Sequence, residues 1–390
     1  MDKKEILKDK RLNLPIQYTG DCENAICTIL DKFVGILNDY KVNISVIDDV
    51  KGFKENIKKM FSEYFLGHHG KAFEMFKMAL EHLKKNNELF ITDVPNETFY
   101  RARVNKNNKD YTNKEMFHIP YENRGKVSTQ RFSFPGLPCL YLGMSSYVCW
   151  LETNRPQFNQ FQVAAIRRKN PENDLKVINL ALHPLAVYEQ LKNETIYDLE
   201  AYLRLWPIIA TSSMVVKNED DSFKPEYIFP QFMLQYILEN SDDDTLIGIK
   251  YFSMKAGNIS QSQYKNEKRL YTNYVFPIRS NTPTPDGFCK FLDDEFTIVK
   301  NYSGRELEVL TDSIRKSGIT LETFDNAEKE KDPLDMALLF DSNKLSYSYK
   351  KTIFRRIEII LNNKDNNCYS DEGELILQPI SNEGIGQLYK

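Results

Sequence analysis

Between residues 20 and 90 the apolar side chains recur at helical spacing, and from about Thr98 that period is lost. This break constrains the fold more than any bulk property, because a stripe repeating every ~3.6 residues suits a helix and cannot also line one face of a strand. Ala25, Ile26, Ile29, Leu30, Phe33 and Ile36 make one stripe, and Phe73, Phe76, Ala79, Leu80 and Leu83 make another. Between them, Phe53 to Phe65 keeps the period with lysines on the opposite face. Gly67-His68-His69-Gly70 reads as the turn between two of these helices.

Beyond Thr98, short apolar runs such as Thr98-Phe99-Tyr100 and Cys139-Leu140-Tyr141-Leu142 are bounded by Pro, Gly and Asn, the signature of strands. Leu185 to Tyr202 and Tyr227 to Leu238 read as helices, the second opened by Pro230, while Leu246 to Phe252 and Tyr271 to Pro277 read as strands. Strands and helices mixed without strict alternation imply an α+β fold. Further on, Glu306 to Lys316 and Tyr349 to Asn362 look helical, a polar acidic linker is expected near Asn326 to Asp332, and Gly373 to Pro379 reads as a strand. A chain of 390 residues is long for one hydrophobic core, so two or three folding units are expected. The reading is a helical region over 1–92, a mixed region over 93–290 and a C-terminal extension over 291–390 of regulatory or structural role.

The charge balance narrows the partners. A net charge of −3 supplies no broad basic field for a phosphate backbone, and local basic pieces such as Lys84-Lys85 and Lys350-Lys351 sit among acidic residues. No nucleic acid is therefore expected as a partner. The 6 cysteines show no C-x-x-C spacing, and the 5 histidines do not cluster near them, so no metal is expected. The charged stretch Met1 to Lys10 has no apolar core of a signal peptide, and no window is apolar for long enough to span a bilayer. A cytoplasmic protein with no membrane partner is the expectation.

Four pieces of the middle region carry chemistry-bearing residues in close order. They are Phe99-Tyr100-Arg101-Ala102-Arg103; then Arg131-Phe132 followed by Gly136, Tyr141, Ser145-Ser146 and Glu152; then Glu226-Tyr227-Ile228-Phe229-Pro230-Gln231; and Gly248-Ile249-Lys250-Tyr251-Phe252-Ser253. Ser145 or Ser146 suits a helix N-cap, which places Glu152 about two turns along that helix. Neither G-x-G-x-x-G nor G-x(4)-G-K-[ST] occurs, so a Rossmann or P-loop cofactor site is not expected.

In these pieces the chain resembles the RES family, named for its Arg, Glu and Ser. Tyr100-Arg101 matches the family's aromatic-Arg step; Arg131, Phe132, Gly136, Tyr141 and Glu152 match its central run in order; and Gly248 to Ser253 matches its closing Gly-Ile-x-Tyr-x-Ser strand. The family's Asn after the Arg-aromatic pair is Ser133 here, and the stretch from Glu152 to Gln231 is longer than in compact members. The helical region is loosely similar to HEPN domains but lacks the Arg-x(4–6)-His pair of the nucleases among them, so no catalysis is assigned to it.

The resemblance implies an ADP-ribosyltransferase-like fold that takes NAD+ as substrate and breaks its nicotinamide–ribose bond, with no separate cofactor. It further implies a bacterial toxin, of toxin–antitoxin or phage-defence type. Such a cleavage develops an oxocarbenium-like ribose, as glycoside hydrolysis does. Arg101 and Arg131 would hold the pyrophosphate through their planar forks, and Tyr141 would meet the nicotinamide end. Glu152 would stabilise the developing charge and orient water, with Ser253 anchoring the ribose or nicotinamide and Tyr100 and Gln231 as further substrate contacts. Catalysis is thus expected from Glu152, Arg131 and Tyr141. The competing expectations are transfer of ADP-ribose to a protein target, and an inactive RES-like interaction scaffold. A restraining antitoxin or regulatory protein and a homo-oligomeric state are expected alongside.

Overall fold

The computed structural model describes residues 2–84, 87–106, 110–192, 199–239, 245–255, 268–279, 283–306, 309, 349 and 353–362. The expected linker over 326–332 and strand over 373–379 lie outside these residues, as does most of the helix expected over 306–316.

The N-terminal stripes form α1 (Cys22–Asp39), α2 (Ile44–Phe65) and α3 (His69–Lys84). Asp21 caps α1 by accepting from Asn24 N at 3.0 Å, and Asn43 caps α2 by accepting from Ser45 N at 3.1 Å, satisfying donors that a helix start leaves open. α2 ends where Gly67 takes a left-handed φ of +80°, a conformation open to a residue without Cβ. The histidine pair belongs to this turn: His68 Nδ1 meets Glu63 Oε2 at 2.8 Å, and the His69 ring meets Tyr64 edge-on at 4.6 Å.

The apolar faces of these helices close on two helices from the middle of the chain, α6 (Leu199–Ser212) and α7 (Ile228–Glu239). Phe33 lies on Trp206 with ring centroids 4.3 Å apart, and Phe76 lies on Phe229 at 5.0 Å. These rings are almost wholly buried, and each contributes about 2–3 kcal/mol of burial. One continuous core therefore joins the N-terminal helices to the mixed region. Of the helix expected over Leu185 to Tyr202, the described residues are helical in α5 (Pro184–Lys192) and in the first turn of α6. α7 begins two residues ahead of Pro230, which sits in the first turn where a proline removes no intrahelical bond.

Among the described residues the strands build one sheet: β1 (Ile91–Asp93), β2 (Phe99–Val104), β3 (Cys139–Gly143), β4 (Phe161–Arg168), β5 (Lys176–Leu180), β6 (Leu246–Phe252), β7 (Thr272–Pro277) and β8 (Phe296–Tyr302). Their order is β1-β5-β6-β7-β3-β2-β4-β8. β5 and β6 run parallel and every other neighbouring pair is antiparallel, so the molecule is α+β. β4, β5 and β8 carried no clear period in the sequence; β4 is buried along nearly its whole length, which erases the polar–apolar alternation of a half-exposed strand.

Two elements position the site. α4 (Ser146–Glu152) follows β3 directly, and α9 (Ile353–Asn362) lies across α4, β4 and β8. The short α8 (Lys290–Glu295) leads into β8, which pairs with β4 from Val163–Tyr302 to Arg168–Phe296. Residues beyond 290 thus complete one edge of the sheet.

Candidate active site

The sheet is split at its middle. β3 pairs with β7 from Cys139–Pro277 to Gly143–Asn273, and β2 pairs with β4 from Phe99–Ile166 to Val104–Phe161. β2 and β3, by contrast, meet through one pair, Tyr100 and Gly143. Arg101 reaches across the parted strands, its Nη1 donating to the Tyr141 carbonyl oxygen at 2.8 Å. A cavity of about 450 Å³ lies at this split, within the range of small-molecule sites. It is walled by both halves of the sheet, by the C-terminal end of α4, by Thr129 to Arg131, and by the segment carrying Val215, Val216 and Glu219.

Glu152 enters the cavity because α4 is pressed close to the sheet. Ser145 caps α4 by accepting from Val148 N at 3.0 Å. Gly143 makes the approach possible: a Cβ there would stand 2.5 Å from Val148 Cγ1 and 2.8 Å from Cys149 Sγ. Glu152 Oε1 accepts from Asn273 Nδ2 at 2.7 Å, and the Ser253 hydroxyl accepts from Lys255 N at 3.2 Å close by. Burial holds the Glu152 carboxyl above the ordinary glutamate value, against the opposing pull of Ser253, Lys255, Asn273 and Arg131.

The two arginines are held in different ways. Burial brings the Arg101 guanidinium down to about 9, with Arg103 adding to the shift; it is still a cation at neutral pH, and its Nε is buried without a partner. Burial also lowers Arg131, partly offset by Tyr227, Glu152 and Tyr251. Arg131 Nη1 donates to Ser212 O at 3.1 Å, and its guanidinium lies 5.2 Å from the Tyr227 ring centre, a cation–π distance. The Tyr141 hydroxyl is buried in the cavity wall without a well-formed hydrogen bond. Buried polar atoms in native structures almost always find partners, so Arg101 Nε and Tyr141 Oη stand out as unsatisfied groups in residues that line the cavity.

Of the residues singled out in the sequence, Arg101, Arg131, Tyr141 and Glu152 all line this cavity. Ser253 is wholly buried and stands outside the lining; its influence on Glu152 is to lower that residue's carboxyl value. Gln231 stands outside the lining; its Nε2 donates to Thr129 Oγ1 at 3.0 Å, Gln130 O at 3.1 Å and Ser133 O at 3.2 Å, and so holds the turn that presents Arg131. Tyr100 also stands outside: it packs in the core beside α4, and its hydroxyl accepts from Asn362 Nδ2 at 2.7 Å.

Among the lining residues that the sequence motifs did not single out are Tyr227, Tyr251, Lys255 and Asn273. Tyr251 and Tyr227 lie inside stretches the motifs had marked, and Lys255 follows Ser253 by two positions. Asn273 had no local signal, because strand register alone sets it opposite Gly143 and Tyr251.

No family model matches the chain, and no solved structure matches it. The chain is similar to a Bacillus subtilis (strain 168) protein named "Putative toxin YopC", 28% identical over 373 residues, which cover 90% of this chain and 78% of that protein. A likeness that long runs through the cavity-bearing middle of the chain.

Proposed function

We propose that the chain is a toxin that cleaves NAD+ at the nicotinamide–ribose bond. The observation that carries the reading is convergence: Arg101, Arg131, Tyr141 and Glu152, from well-separated stretches of sequence, meet in one cavity at the split of the sheet. The likeness to a protein named as a toxin supports a harmful activity for this chain, and the site chemistry suits loss of a nucleotide as that activity.

The requirements of the reaction fit the groups present. Departure of nicotinamide leaves positive charge on the ribose, and a carboxylate in a cavity of low dielectric stabilises such charge strongly. Glu152, oriented by Asn273, is that carboxylate. Arg131 and Arg101 carry planar forks for the pyrophosphate, while Tyr141, Tyr227 and Tyr251 provide aromatic walls for the bases. The same carboxylate orients the acceptor, water in the hydrolytic case.

The test is NAD+ loss with nicotinamide release, followed by chromatography, for the purified chain and Glu152→Gln. Loss in the wild type that disappears in the variant supports the reading; equal loss in both, or none in either, overturns it. The product identifies the acceptor: free ADP-ribose means water, and label retained on protein means transfer.

A further inference from the structure

α9 has no part in the reading above, yet its contacts converge on the helix that carries Glu152. Glu358, in the middle of α9, is 2% exposed. Its Oε1 accepts from Ser146 N at 2.8 Å, from Ser146 Oγ at 3.3 Å and from Tyr349 Oη at 2.6 Å. Ser146 is the first residue of α4, so the amide taken is one for which the helix has no acceptor of its own. Ser146 Oγ also donates to Phe354 O at 3.1 Å, and the Phe354 ring lies 5.3 Å from both Tyr147 and Trp150 of α4. At the far end of α9, Asn362 Oδ1 accepts from Thr98 Oγ1 at 2.6 Å and Arg167 Nη2 at 2.9 Å. The helix is therefore anchored to the β2–β4 half of the sheet at one end and to α4 at the other.

A helix as short as α4 has little stability of its own, so its placement is set by what holds it. Gly143 sets how closely it approaches the sheet; Glu358 holds its first turn. We propose that Glu358 is a positioning residue, which through Ser146 sets where Glu152 stands in the cavity. Only the activity arm of this proposal rests on the NAD+-cleavage reading. An error of about 1 Å in a reacting group costs on the order of a hundredfold in rate, so releasing the first turn is expected to act on turnover more than on substrate binding.

The test uses the full chain with Glu358→Leu and Glu358→Gln, read by amide hydrogen exchange of α4 and by NAD+ turnover. In Glu358→Leu, α4 amides are expected to exchange about tenfold faster while α1 to α3 are unchanged, consistent with loss of about 1.4 kcal/mol of local protection. In the same variant kcat falls about a hundredfold with KM within about threefold. Glu358→Gln keeps an acceptor oxygen for Ser146 and retains both properties. The proposal is overturned if α4 exchange is unchanged in Glu358→Leu, if Glu358→Gln is as damaging as Glu358→Leu, or if KM moves in place of kcat. Should Glu358→Leu fail to fold, Glu358→Asp, whose carboxylate is one methylene short of the Ser146 amide, takes its place, and unchanged α4 exchange in that variant is the overturning result. If the wild type consumes no NAD+, the functional reading fails, and the exchange arm alone decides whether Glu358 holds α4.

Discussion

Asn273 Nδ2 donates to Glu152 Oε1 at 2.7 Å, joining residues 121 positions apart in the chain. The bond exists because β7 lies between β3 and β6, which puts Asn273 opposite both Gly143 and Tyr251. It orients the carboxylate without neutralising it. Hydrogen bonds to charged groups contribute about 1.5–3 kcal/mol, so Asn273→Leu is expected to lower kcat for NAD+ loss by about thirtyfold, with KM little changed. Steady-state kinetics checks this; a normal kcat would show that Glu152 needs no such partner.

The raised Glu152 carboxyl makes a stability prediction with a definite sign. A group held above its ordinary value binds its proton more tightly in the folded state, which favours folding below about 4.5 and is lost as pH rises through the folded value. Glu152→Gln removes that liability and keeps an oxygen to accept from Asn273. It is expected to melt above the wild type near neutral pH, with the difference closing as pH falls through that range. Melting curves across pH decide it. The acid limb of the pH–rate profile, set by deprotonation of Glu152, is expected above the ordinary glutamate range.

Arg131 separates charge from shape. Its guanidinium donates to Ser212 O and faces Tyr227, a planar arrangement that an ammonium cannot reproduce. Arg131→Lys is expected to raise KM for NAD+ by about tenfold while kcat changes less, because binding to the pyrophosphate is lost in ground and transition states alike. An unchanged KM would remove Arg131 from substrate binding.

Gly143→Ala tests the close approach of α4. The added methyl meets Val148 Cγ1 and Cys149 Sγ inside van der Waals contact, and overpacking of this kind costs about 1–3 kcal/mol. Denaturant unfolding is expected to show that loss, together with reduced NAD+ turnover as Glu152 is pushed from its place. Wild-type stability in this variant would mean that α4 can shift freely.

Much of this fold was legible from local patterning. The stripes around Phe33, Phe53 and Phe76 dictate helices because burying one face of a regular helix requires that spacing, and Gly67 marks its turn because a left-handed residue favours glycine. The strands carrying Arg101, Tyr141 and Tyr251, and the cap at Ser145, likewise follow from nearest neighbours. Which side chains share a cavity does not. Tyr100 and Arg101 are adjacent in sequence, yet one packs beside α4 against Asn362 and the other lines the cavity, because successive residues of a strand face opposite ways. Asn273 reaches Glu152 only through strand order, Gln231 acts through the turn at Gln130 to Ser133, and Glu358 reaches α4 only once β8 and α9 close over the sheet. The sequence by itself determined the helices and the strands with a clear local pattern, since those depend on periodicity and capping; tertiary structure decided β4, β5, β8 and the site, since burial, register and the parting of β2 from β3 depend on contacts between residues far apart in the chain.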